Sequence, residues 1–260
     1  MKKIWKIIYI LSILCILFLM YLYKDSSIAV LGYHNIYDKN IDGNIENQYT
    51  IEKQKFEEQM KYLKTHNYKT LSLKEFYNWK VNKHNYGRKT VLITFDDGYY
   101  YNYKYAFSIL KKYNLKATVF FIGSYAKGND NIINNKINSY LSLDTIKKCR
   151  EEYPNIEFAS HTYNLHEGID IKSLSYEDID ADIKKFNQMY NTKFLAYPHG
   201  ANTKEFKQAL KDNGYLMSFG FDENNHRKVK IKDDNFDIPR LNISSDMSLK
   251  KFALRINMPF

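Results

Sequence analysis

The stretch TVLITFDDGY, Thr90 to Tyr99, is an apolar run that stops at two adjacent carboxylates and a glycine. A short run of this kind, closed by a turn signal, reads as a strand buried on both faces. On a regular strand Asp96 and Asp97 would face opposite ways. They can address one site only where the strand breaks, and Gly98 permits a break because it tolerates a positive φ. An Asp-Gly turn with two solvated carboxylates is the competing reading.

Similar runs recur at 28–33, 117–122, 156–159, 193–197, 215–220 and 237–241. Segments of helical period separate or flank them, at 51–65, 72–82, 106–113, 142–152, 175–190, 203–213 and 247–257. Ser175 with Asp178 three residues on approaches a capping box at the start of one of these. The span 38–48, DKNIDGNIENQ, reads as a long polar loop. Strands alternating with helices imply a mostly parallel sheet, and this number of units fits a closed β/α barrel better than an open sheet. In a barrel, reactive groups belong on loops at the carboxyl ends of strands. The polar clusters of this sequence sit at such ends.

The chain has 260 residues, 44% hydrophobic and 26% charged, which suits one large domain with a real core. Before that domain lies IIYILSILCILFLMYLY, Ile7 to Tyr23, uncharged and long enough to cross a bilayer as a helix. Lys2, Lys3 and Lys6 precede it, which orients the amino terminus inward and the remainder outward. No small-residue cleavage site follows, so an uncleaved anchor over 1–25 ahead of a domain at 26–260 is expected, with a cleaved, secreted form as the alternative. The two cysteines, Cys15 and Cys149, fall in the apolar run and in a helix, which excludes CxxC chemistry. The formal charge of +10 is spread along the chain without a basic cluster, so nucleic acid is not an expected partner. An anionic cell surface suits it better. The 24 tyrosines suit carbohydrate stacking, though composition alone decides little.

SHTYNLH, Ser160 to His166, places two histidines directly after the run IEFA. A spacing of five is out of step with a helix face, so the segment is read as a loop after a strand. Taken alone, the pair is more simply one core and one exposed histidine. Taken with Asp96 and Asp97, two imidazoles and one carboxylate make a three-ligand site that leaves a position for water, the arrangement of a hydrolytic metal site. The second carboxylate is then free to act as a base. His34 ends the run LGYH as the other candidates end theirs, and Pro198 and Gly200 fix a turn around His199. His66, His84 and His226 lie in polar surroundings and read as surface residues.

The combination TFDDGY, SHTYNLH and YPHG resembles the polysaccharide deacetylases of carbohydrate esterase family 4 over about residues 28–257. The resemblance implies a distorted (β/α)7 barrel of the NodB type. Most of that family spaces the paired histidines by four. The spacing of five, the LGYH motif ahead of TFDDG, and the closing IPRLNIS and SLKKFALRI segments resemble the branch that deacetylates poly-β-1,6-N-acetyl-D-glucosamine, a biofilm exopolysaccharide. By that resemblance Asp97, His161 and His166 bind a divalent metal, zinc first, with cobalt, nickel or iron(II) as alternatives. Asp96 is the base, His34 the general acid, and the backbone near His199 an oxyanion donor. Tyr99, Tyr163 and Tyr197 are candidates for glycan contact. The arginine that usually opens the third motif is absent, since Ala196 and Tyr197 precede Pro198, and Arg240 is the candidate to orient the aspartate. The expected product is acetate, made by a monomer on the outer face of the cell membrane. The rival readings are a deacetylase of β-1,4 polymers, peptidoglycan or chitooligosaccharide, and an inactive membrane-tethered carbohydrate-binding protein.

Overall fold

The structure, a computed structural model, describes residues 2–23, 27–45, 47–127, 139–222 and 227–258. Residues Lys2–Tyr23 form helix α1, and its side chains are described only from Ile4 to Cys15. Among the described residues no helix is long and apolar enough to cross a membrane. The side chains of the expected anchor beyond Cys15 lie outside those described, as do His226 and the boundary between 25 and 26.

The expected alternation is present. Strands β1 (Ala29–Tyr33), β2 (Asn35–Tyr37) and β3 (Thr50–Glu52) are followed by α3 (Lys53–Thr65), with the short helix α2 (Lys39–Asp42) between β2 and β3. Then come β4 (Lys69–Thr70), α4 (Leu73–Lys80), β5 (Thr90–Phe95), α5 (Phe107–Lys112), β6 (Ala117–Phe121), α6 (Leu143–Glu152) and β7 (Ile156–Ser160). The chain closes with α7 (Tyr176–Met189), β8 (Phe194–Ala196), α8 (Lys204–Asp212), β9 (Met217–Phe219), β10 (Leu241–Asn242) and α9 (Leu249–Asn257). Seven strands make one curled path, β10-β1-β5-β6-β7-β8-β9, with β4 added on β5, and the pairings are parallel. Every residue of β5 is buried, because helices cover the outer face and side chains fill the inner one.

The last expected strand, 237–241, forms a ladder only at Leu241 and Asn242. Pro239 lacks an N–H and interrupts it. The segment nevertheless reaches both ends of the path: Ile238 pairs with Phe219 of β9, while Leu241 pairs with Leu31 of β1. The polar span 38–48 is not wholly loop. It contains α2, capped by the Asp38 side chain, and it connects the small parallel pair β2-β3 that periodicity did not reveal. Ser175 and Asp178 form the expected capping box of α7. A π-helical turn, Asn102–Ala106, precedes α5 and brings the Asn102 amide to the His34 carbonyl at 2.6 Å. Such turns recur at functional sites.

Far from the carboxyl ends, Glu157 accepts hydrogen bonds from Leu73 N–H and from Thr118 Oγ1 at 2.8 Å. Burial raises its carboxyl above the ordinary 4.5, against the pull of those donors. The folded state therefore holds this proton more tightly than the unfolded chain, and the associated stability is complete below about pH 4.5 and is lost as pH rises through the folded value. Relative to the Glu157→Gln protein, the native chain is expected to lose melting temperature between pH 4.5 and 7. Parallel pH dependence of the two proteins in calorimetry contradicts this.

Candidate metal-assisted hydrolytic site

The break that TFDDG requires occurs at Asp97, which takes φ 69°, and Gly98 follows at φ 78°. A side chain at Gly98 would place its Cβ 2.7 Å from that of Phe121, so the turn demands glycine twice over. With the strand broken, Asp96 and Asp97 line the same cavity of 390 Å³ together with His34, His161, His166 and His199. That volume suits a sugar unit.

The SHTYNLH segment leaves β7 and reverses at Thr162, another residue with positive φ at 69°. The reversal carries His161 and His166 to one point. Their Nε2 atoms lie 3.3 and 3.1 Å from Asp97 Oδ1, and the three ligand atoms fall within 4.8 Å of one another. These contacts lack hydrogen-bond geometry, and Asp97 Oδ1 is buried with no hydrogen-bond partner. Three converging lone-pair atoms without proton-sharing geometry fit a divalent cation, and the mixed N/O set fits zinc. His161 Nδ1 lies 2.9 Å from the Ala196 carbonyl, which fixes the tautomer that leaves Nε2 free. Burial alone would raise Asp97, but His161 and His166 outweigh it and hold the carboxyl well below the ordinary range.

Asp96 is held differently. Arg240 grips it with both terminal guanidinium nitrogens, at 2.6 and 2.7 Å, and both residues are buried. The remaining donors of Arg240 reach Gly220 O at 2.7 Å and Thr94 Oγ1 at 3.3 Å. Burial would raise Asp96; the Arg240 charge, then His161, reverse that and keep it ionised. Arg240, the candidate named from the sequence to orient the aspartate, is the residue that contacts it.

The His34 ring packs between Tyr49, at 4.8 Å, and Phe221, at 5.1 Å edge-on. Its Nδ1 is buried without a partner. Burial lowers its pKa, while Asp97 and Asp96 push it back up. His199 is exposed at φ 51°, with its Nε2 3.3 Å from the His166 carbonyl. Its turn needs Gly200 at φ 69°, where a Cβ would meet the Phe221 carbonyl oxygen at 2.0 Å.

The three tyrosines separate. Tyr99 lines the cavity and stacks on Tyr140 at 5.2 Å; burial, then the Asp97 charge, raise its hydroxyl well above the ordinary range. Tyr197 contributes only a wall: its hydroxyl donates to Phe236 O at 3.0 Å, and its ring packs edge-on against Phe206. Tyr163 does not line the cavity. The turn at Thr162 directs its ring under Lys185, 4.3 Å away, and against Gly123. His66 and His84 are exposed, as expected. Tyr49, Phe221 and Asn102 were not anticipated. Phe221 follows the carboxyl end of β9, so the strand-end rule could have found it, but Tyr49 lies in a span that read only as polar.

The polysaccharide deacetylase family profile matches residues 83–218. The chain is 34% identical over 246 residues to a poly-beta-1,6-N-acetyl-D-glucosamine N-deacetylase of Staphylococcus epidermidis, covering 86% of this chain and 81% of that protein. It is 30% identical over 247 residues to the protein of the same name from Staphylococcus aureus, with the same coverage of both. Among solved structures, the deacetylase PplD of Streptococcus pyogenes in complex with acetate superposes with a TM-score of 0.74 at 23% identity, over 90% of this chain and 100% of that one. IcaB from Ammonifex degensii superposes at 0.71 and 21% identity, over 90% and 98%. At those identities the superpositions speak for the fold alone.

Breaking the Arg240–Asp96 pair strands a buried charge. Arg240→Ala is expected to lower the unfolding free energy by about 3–5 kcal/mol, and adding Asp96→Ala should recover part of the loss. Urea denaturation of the single and double variants measures both, and additive losses contradict a coupled pair.

Proposed function

We propose that this chain, which belongs to the polysaccharide deacetylase family, removes N-acetyl groups from poly-β-1,6-N-acetyl-D-glucosamine in a metal-dependent reaction that releases acetate. The observation that carries the reading is the convergence of Asp97, His161 and His166 beside a separately held, ionised Asp96. Pure carbohydrate binding would not need a ligand set and a spare base in one cavity. The choice of polymer rests on the names and identity of the staphylococcal relatives.

A divalent cation, zinc by its ligand chemistry, would polarise the acetamide carbonyl and lower the pKa of a water from about 15.7 toward about 7. Asp96 is the residue that takes a proton from the water attacking the acetamide carbonyl carbon. Because Arg240 takes both carboxylate oxygens, Asp96 cannot rotate away, and the base is ready before substrate arrives. The developing oxyanion is assigned to the backbone N–H near His199. His34, packed between Tyr49 and Phe221, delivers a proton to the departing sugar amine as the C–N bond breaks. Tyr99 offers an aromatic face to the sugar.

The finer reading of the fold is a distorted (β/α)7 barrel over 26–260, acting as a monomer. The amino-terminal segment is assigned as an anchor that places this domain on the outer face of the cell membrane. The exposed apolar side chains of α1, among them Ile4, Trp5, Ile8 and Leu11, favour it.

Acetate release from defined β-1,6-linked N-acetylglucosamine oligomers tests the reading. Chelator should abolish it and added zinc restore it. Asp97→Ala protein should stay inactive at any practical zinc concentration. Faster turnover of β-1,4 oligomers would shift the assignment to a peptidoglycan or chitooligosaccharide deacetylase. His34→Ala should lower kcat about 10²–10⁴-fold, and a loss within twofold removes His34 from the mechanism.

A further inference from the structure

The mechanism leaves one buried carboxylate of the site region unused. Asp182 lies on the apolar stripe of α7, flanked by Ile179, Ile183 and Phe186, where a charge is costly. It points at the histidine loop. Its Oδ1 accepts Tyr163 N–H at 2.7 Å and its Oδ2 accepts Asn164 N–H at 2.8 Å. Those two amides sit inside the five-residue interval between His161 and His166. Neither has a place in the strand ladder, because the chain has already reversed at Thr162.

We propose that Asp182 is the positioning residue of the metal site: it clamps two successive backbone N–H groups of the SHTYNLH loop and thereby sets the His161–His166 geometry. A loop with two ligands five residues apart has no helical register to hold it, so its shape must be imposed from outside. Three further attachments are backbone ones: His161 N–H donates to Phe121 O at 3.0 Å, and the Thr162 and Tyr163 carbonyls accept from Gly123 N–H and Ser124 N–H at 3.0 and 2.7 Å. These tie the loop to β6 and the turn after it. The Asp182 clamp ties Tyr163 and Asn164 to α7, and charge-assisted bonds of this length are among the stronger ones available. A single carboxylate with two acceptor oxygens matches two consecutive N–H groups. An amide cannot, since its nitrogen would face a donor.

The inference rests on the metal reading above, and its test separates the two. Zinc affinity is measured by competition with a chromophoric chelator, and backbone amide exchange is followed for the metal-free protein. In native protein the amides of Tyr163 and Asn164 should exchange slowly, and rapid exchange there overturns the clamp whether or not any variant folds. Asp182→Asn should raise the zinc Kd about 10–100-fold and speed exchange across 161–166, with circular dichroism unchanged. Glu157→Gln, which removes a buried carboxylate elsewhere, should leave zinc affinity unaltered. Equal zinc affinity of native and Asp182→Asn protein sinks the positioning role while the metal reading stands. Native protein that takes up no zinc sinks the metal reading, and this inference with it.

Discussion

The buried contact between Arg240 and Asp96 joins two requirements that would otherwise compete. The 237–243 segment must bridge the β1 and β9 ends of the curled sheet, and the carboxylate at the end of β5 must stay charged although it is buried. One guanidinium meets both needs. It sits on the bridging segment, accepts the cost of burial by satisfying Asp96, Gly220 and Thr94 together, and lies over the Phe120 and Phe221 rings at 5.8 and 5.5 Å. A buried ion pair is weak evidence for net stability, because desolvation offsets much of the attraction. Its value here is geometric: the Asp96 carboxylate, the sheet bridge and the cavity wall are positioned by the same side chain.

Around that contact the backbone carries strain where the chemistry is. Six described residues other than glycine have positive φ, and three of them, Asp97, Thr162 and His199, belong to the site. Each such conformation costs of order 1–3 kcal/mol and persists only where the surroundings over-determine it. The surroundings do so at each point. Gly98 packs on Phe121 after Asp97, Asp182 and the β6 turn hold the loop after Thr162, and Gly200 lies flat on Phe221 after His199. The rigid parallel strands supply the platform, and the short irregular segments at their carboxyl ends aim the functional atoms.

Much of this was legible in the chain itself. The buried runs mark their strands to within a residue or two because parallel strands covered on both faces have no polar side to blur the pattern. TFDDG and SHTYNLH announce a ligand set, since a strand that ends in carboxylates and a loop with two imidazoles have few chemical uses in common. The β2-β3 pair was hidden because three-residue strands are too short to show a period, and the strand at 237–241 was overextended because Pro239 interrupts a ladder that hydrophobicity alone cannot see interrupted. Tyr163 sits outside the cavity for a related reason: adjacency to a motif does not say which way a side chain points after a left-handed residue.

The sequence by itself determined the order of the elements, the donor types and their location at strand ends, because each depends on neighbours within a few residues. Only the tertiary structure decided which partner each charged group meets. Arg240 and Asp96 lie 144 residues apart in the chain, and Asp182 reaches amides 18 and 19 residues upstream. No local period encodes such pairings. They follow from the curl of the sheet, which brings its two ends together, and from the packing of α7 against α8 and β8, which turns one acidic side chain inward among apolar neighbours.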